Sequence, residues 1–179
     1  NGLITQLLSL RTPTTGPSDP PAIRDKLMTN NDTLRRLRYA LHLNNAQVAS
    51  LITRTGKETS TAQVDRWLKR EDEAGSVDIP DATLCRFLDG LIIEKRGPRP
   101  DGTIPEALEF LSNNEILKKL RIALELRDDD MNAVFKRAEF VVTKAELGSF
   151  FRKEGHRHYR PCPEQVLRKF ILGLSKKSG

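Results

Sequence analysis

The chain reads as an all-α protein built from two tandem four-helix repeats, helix-turn-helix-like in order, and three observations predict this. Residues 30–91 return without a gap as residues 113–174, at a constant offset of 83, with 16 identities in 62 positions. In both copies apolar residues recur at three- and four-residue spacing, the signature of a helix with one buried face. No stretch alternates apolar and polar residues as a half-buried strand would. A repeat of this length fixes the unit of the fold, here about 65 residues used twice.

With 179 residues, 37% of them apolar, the chain can bury two small cores or one fused core. A unit of about 65 residues is marginal alone, so the copies are expected to lean on each other. Residues 1–28 form a leader, 29–97 the first repeat, 98–111 a linker and 112–179 the second repeat. The leader runs through TPTTGPSDPPA, where Pro and Gly forbid regular structure. Met28 stands where translation could begin, so the leader is set aside as a candidate non-native extension. Its Leu3, Ile4, Leu7 and Leu8 have the spacing to dock one helical turn in a neighbouring groove.

The first helix is expected from Asp32 to Leu43, with Asn31 as N-cap and Leu34, Leu37, Ala40 and Leu41 on one face. Arg35, Arg36 and Arg38 fall on the other face, repeated by Lys118, Lys119 and Arg121, and a solvated basic face is the ordinary reading of both sets. A short second helix, Asn45 to Thr53, turns inward Val48, Leu51 and Ile52, echoed by Met131, Val134 and Phe135. Ser60 with Gln63, and Thr143 with Glu146, are capping boxes that open the third helices, the first of them spanning Thr61 to Glu71. Trp67 and its counterpart Phe150 fall on their inner faces. Pro80-Asp81 opens a fourth helix whose Leu84, Phe87, Leu88 and Leu91 keep helical spacing until Gly97-Pro98 breaks it.

The formal charge of +6 is unevenly placed. Residues 29–97 carry 11 basic and 10 acidic side chains, whereas residues 112–179 carry 15 and 9. An excess confined to one copy points to an anionic partner or to solubility. Cys85 and Cys162 occupy non-equivalent places in the repeat and offer no disulfide framework, which fits reduced thiols in a cytoplasmic protein. No run is apolar for long enough to span a bilayer.

The order of a helix, a short helix, a turn, a helix beginning STAQVDRWLKRE and a Pro-started DATLCRFLDGL resembles the helix-turn-helix of phage-repressor-type DNA-binding domains over about 45 residues of each copy. The turn from Thr53 to Ser60 is longer than such motifs use. Across residues 29–176, NNDTLRRLRYAL, WLKREDEAG, FLDGLIIEKRG and NNEILKKLRIAL resemble the motifs of the YehS-like bacterial proteins. That resemblance implies two copies of a domain of unknown function and brings no activity, cofactor or catalytic residue with it.

No constellation suited to catalysis stands out, and no glycine loop that cradles phosphate is present. His156, His158 and Cys162 place three potential metal ligands within seven residues, but a fourth is missing and the first copy has no equivalent. Two partner classes remain. A nucleic acid, DNA or RNA, would meet the second copy through Lys144, Ser149, Arg152, Lys153, Arg157 and Arg160, where Gly148 weakens the third helix unless another backbone must approach closely. Another protein would instead use a face of the duplicated unit, a reading that suits the more acidic first copy.

Overall fold

Every helix of the first copy starts 83 residues before its counterpart. The structure, a computed structural model, describes residues 28–176. It contains α1 (Asn30–Ala40), α2 (Asn45–Thr53), α3 (Thr61–Leu68), α4 (Asp81–Arg96), α5 (Asn113–Ala123), α6 (Asp128–Arg137), α7 (Lys144–Phe150) and α8 (Glu164–Ser175), with no strand among the described residues. The expected docking of Leu3, Ile4, Leu7 and Leu8 lies outside the described residues.

Thr29, Asn44, Ser60 and Thr143 each accept a bond from the amide three residues on, while the side chain there caps their own N–H. Ser112 caps α5. The helices α4 and α8 start behind Pro80 and Pro163, whose missing N–H costs nothing at that position. Asn31 is therefore not the N-cap the sequence suggests. It lies inside α1, buried, because its amide is used elsewhere.

That amide joins three distant points. Asn31 Nδ2 donates to the carbonyls of Trp67 (2.9 Å) and Val77 (2.8 Å), and its Oδ1 accepts from the Ile79 N–H (3.0 Å). Asn114 repeats all three bonds with Phe150 (3.0 Å), Arg160 (2.8 Å) and Cys162 (2.8 Å). In a continuing helix the Trp67 carbonyl would accept from residue 71. Asn31 takes that acceptor, so α3 stops at Leu68, short of the expected Glu71, and Lys69 turns to extended backbone. By the same capture α7 stops at Phe150.

Within each copy the second helix packs on the fourth, and a glycine sets their approach. A Cβ on Gly90 would overlap the Leu51 carbonyl, and one on Gly173 the Val134 carbonyl, so the two backbones meet where no side chain fits. Between copies α4 packs on α5, and α1 on α8. The pair α4 and α5 runs in one direction: Asp81 accepts from the Leu111 N–H (2.9 Å), Asp89 pairs with Lys119 (2.5 Å), and Arg96, the last residue of α4, pairs with Glu125 just past α5. One continuous core results, in which Leu37, Trp67, Leu84, Phe87, Leu120, Phe150, Leu167 and Phe170 are all buried, as their spacing predicts.

The turn before each third helix is held by different chemistry. In the first copy Lys57 Nζ donates to the buried Thr83 hydroxyl (2.9 Å) and Arg86 to the Thr55 carbonyl (2.9 Å). In the second copy Phe140, Val166 and Ala138 stand at the places of Lys57, Thr83 and Thr55, and the Phe135 ring lies 6.1 Å from Phe140 and 5.4 Å from Phe170.

Replacing Asn31 or Asn114 by Ala should each cost about 2–4 kcal/mol, because three buried backbone groups lose their partner. The loss would be read as a lower urea midpoint with an unchanged slope. Gly90→Ala and Gly173→Ala should destabilise by about 1–3 kcal/mol through overpacking. A neutral effect of either glycine change in thermal unfolding would contradict the backbone contact.

Candidate nucleic-acid interface

The helix α7 is short and its inner face is fully used. Leu147 and Phe150 are buried, which leaves Lys144, Ala145 and Gly148 exposed and Ser149 half-buried. Glu146 is held by the Thr143 N–H (2.8 Å) and hydroxyl (2.8 Å), and these two bonds keep its carboxyl below the usual range. Ser149 donates its hydroxyl to the Glu146 carbonyl (2.6 Å), so of the expected site residues it is the one already engaged within the helix.

Past α7 the chain folds into a compact turn. The His156 N–H reaches the Lys153 carbonyl (3.0 Å) and the Tyr159 N–H the His156 carbonyl (2.8 Å). The Arg160 N–H reaches the Ser149 carbonyl (3.2 Å), which lays residues 152–160 against the end of the helix. Arg152, Lys153, Arg157 and Arg160 cluster there, all exposed, while Lys144 sits at the opposite end, about 9 Å along the axis from Phe150. None of these five cations enters an ion pair among the described residues. Arg160 donates to the Tyr159 carbonyl (3.0 Å).

The equivalent edge of the first copy is turned on itself. Lys69 Nζ donates to the Ala74 carbonyl (2.9 Å), Arg66 to the Gly75 carbonyl (3.4 Å), and Arg70 lies 3.5 Å from Asp72. Asp65, at the outer centre of α3, accepts from Asn45 (2.5 Å), which in turn accepts from Arg38 (2.7 Å). In the second copy Asp128 replaces Asn45 and takes Arg121 directly at 2.8 Å, while Gly148 replaces Asp65. The Arg121 guanidinium also stacks 4.6 Å above the Phe151 ring. The network that carries a carboxylate at the centre of α3 thus closes in the second copy without one, and a Cβ on Gly148 would meet nothing within 4 Å.

The three potential metal ligands divide. His156 and His158 are exposed with ring centres 5.6 Å apart, and His156 Nδ1 accepts from the His158 N–H (3.1 Å). Cys162 is buried, and burial pushes its thiol up to about 12. Burial also raises Cys85, against the pull of the Leu108 N–H and of Lys119. Among the described residues no helix is long and apolar enough to cross a membrane.

Sequence reasoning missed one concavity. A polar cleft of about 480 Å³ lies between the start of α1 and the loop after α3, lined by Thr29, Asn30, Glu71, Ser76 and Asp78. Its walls lie about 40 residues or more apart in the chain, and only long-range bonds bring them together: Asn30 donates to the Ile79 carbonyl (2.9 Å) and to Asp81 (2.6 Å), beside the Asn31 bonds to Val77 and Ile79.

Two comparisons place the chain. The family described as Protein of unknown function (DUF1456) matches residues 30–97 and 113–178, once for each copy. The uncharacterized protein YehS of Escherichia coli (strain K12) is 38% identical over 150 residues, which cover 84% of this chain and 96% of that protein. No solved structure matches the chain. The chain therefore belongs to the DUF1456 family of duplicated domains.

Neither thiol should react with a disulfide reagent at pH 8 until the protein is unfolded, since both are buried and protonated. Because the folded-state value of Cys162 lies above its ordinary 9.0, its contribution to stability is complete below that pH and is lost as pH rises toward about 12. Labelling of Cys162 in the native protein at the rate of a free thiol would refute this placement.

Proposed function

We propose that this DUF1456 member is a nucleic-acid-binding protein of the cytosol that meets phosphates through the α7 edge of its second copy, and that it binds without catalysing a reaction. The observation that carries the reading is the contrast between copies. Lys144, Arg152, Lys153 and Arg157 stand exposed and outside any described ion pair, and Arg160 is exposed with one bond to the Tyr159 carbonyl, whereas Arg66, Lys69 and Arg70 fold onto their own turn. Cations left free on one edge are the electrostatic footprint of a polyanion partner. The bare backbone at Gly148 adds support, because the surface there is open and a phosphate strand could approach more closely than any side chain would allow. Resemblance to the helix-turn-helix order makes α3 and α7 the presenting helices. The alternative, a protein-interaction module with no nucleic-acid binding, draws on the linker, where apolar side chains are exposed and no cation follows Arg99.

Filter retention of random-sequence duplex should fall steeply with salt, with log affinity declining by about 0.9 per phosphate neutralised for each unit of log salt. Arg152→Ala with Arg157→Ala should flatten that slope by about 2 and leave thermal stability nearly unchanged. Gly148→Ala separates shape from charge. It should stabilise the free protein by about 1 kcal/mol, as Ala in an exposed helix does relative to Gly, while weakening retention. No retention of DNA or RNA at about 50 mM salt would sink the proposal.

A further inference from the structure

We propose that the linker between the copies docks on the α7 edge of a second molecule of this chain. Exposed large apolar side chains on a monomer usually scatter singly. Of the seven among the described residues, three lie on one short stretch of the linker: Ile104 (46% exposed), Leu108 (38%) and Phe110 (79%). Asp101, Glu106 and Glu109 alternate with them, and no cation lies between Arg99 and Lys118. The result is an apolar strip edged by acid.

The strip is held in place. The Leu108 N–H donates to the Cys85 sulfur (3.4 Å), the Leu111 N–H to Asp81 (2.9 Å), and Leu111 itself is buried. Asp101 fixes the turn at the other end through the Thr103 N–H (2.9 Å) and hydroxyl (2.7 Å). Ile104, Leu108 and Phe110 are therefore displayed by a fixed backbone, which lowers the entropy lost when a partner covers them.

A matching surface stands on the same chain. Val141, in the turn between α6 and α7, is 87% exposed and stands just ahead of α7, along which Lys144, Ala145 and the open backbone of Gly148 are exposed, with Arg152 exposed past the far end. The acid-edged apolar strip of the linker complements in charge an edge on which the five exposed cations Lys144, Arg152, Lys153, Arg157 and Arg160 outnumber the exposed Glu139, Glu146 and Glu154. The linker cannot turn onto α7 of its own chain without losing the Cys85 and Asp81 bonds, so the contact joins two molecules. Each molecule carries one of each surface, so two molecules can exchange both contacts about a two-fold axis, or the contact can repeat head to tail into a ring or filament. The contact stands whether or not the edge also meets phosphates, and if it does, nucleic acid and partner chain exclude each other.

Sedimentation of the full chain from micromolar to submillimolar concentration tests this. The expected result at low salt is a mass that rises with concentration above the 20.2 kDa of one chain and returns to it at high salt. Phe110→Ser and Val141→Ser, with helical content verified by circular dichroism, should each leave a single-chain mass. A variant with Glu106→Lys and Glu109→Lys, and a second with Lys144→Glu and Arg152→Glu, should each sediment as single chains alone and associate when mixed. A single-chain mass at every concentration in low salt overturns the proposal, as does association that survives Phe110→Ser or a mixture of the charge-reversed variants that stays apart. Loss of nucleic-acid retention with association intact would count against the phosphate reading alone.

Discussion

One buried asparagine in each copy holds the arrangement on which the rest depends. Asn31 and Asn114 each satisfy two carbonyls and one N–H that would otherwise be stranded inside a core. By capturing a carbonyl at the end of the third helix they end it, and by gripping the loop that follows they set its path to the fourth. In the second copy that loop carries the cations: the Asn114 amide bonds the carbonyl of Arg160 from behind, so the basic edge is mounted on a fixed point. The bond is the same in both copies, and what faces solvent beyond it differs.

Much of this frame is legible in the sequence, and the reason is duplication. A constant offset aligns the Pro-started helices, the capping boxes and the core aromatic pair Trp67 and Phe150 through residue order alone. Local propensity misassigns Asn31, because Asn ahead of an acidic residue reads as a cap, and nothing local reveals that its amide reaches residues 67, 77 and 79. The turn before α3 is opaque for a related reason. Lys57 with Thr83 and Phe140 with Val166 are two solutions to one packing problem, and each makes sense only as a pair, which periodicity along a single chain does not display.

The candidate edge is half legible. Counting charges locates the excess in the second copy, yet a count does not say which cations are engaged. Lys69 and Arg66 are spent on the carbonyls of Ala74 and Gly75 in their own turn, where Gly75 holds a positive φ (83°). In the second copy His158 stands at that place and Gly155 takes the positive φ (88°) three residues earlier, so the same turn presents different carbonyls. Gly148 is the one residue of this edge whose oddity shows in the sequence. Its cost in a helix has no compensating contact inside the molecule, which directs attention outward.

The interface between copies explains why such divergence is tolerated. Its two halves, α4 on α5 and α1 on α8, are equivalent in course, but the buried Asp89 and half-buried Lys119 form an ion pair in one half where Leu172 and Arg36 stand in the other. A buried pair adds little net stability over an apolar contact of similar size, whereas one partner without the other is costly. The pair therefore discriminates: it penalises any arrangement that sets α5 against α8 in place of α4. With the halves so distinguished and covalently joined, a substitution in one copy is not imposed on the other, as it would be in a symmetric dimer of single repeats. The first copy keeps its Arg38–Asn45–Asp65 chain and its self-satisfied turn, and the continuous core lends that order to its neighbour. The second can then lose the central carboxylate, carry a glycine in an exposed helix and gather unpaired cations, changes a unit of about 65 residues would bear poorly alone.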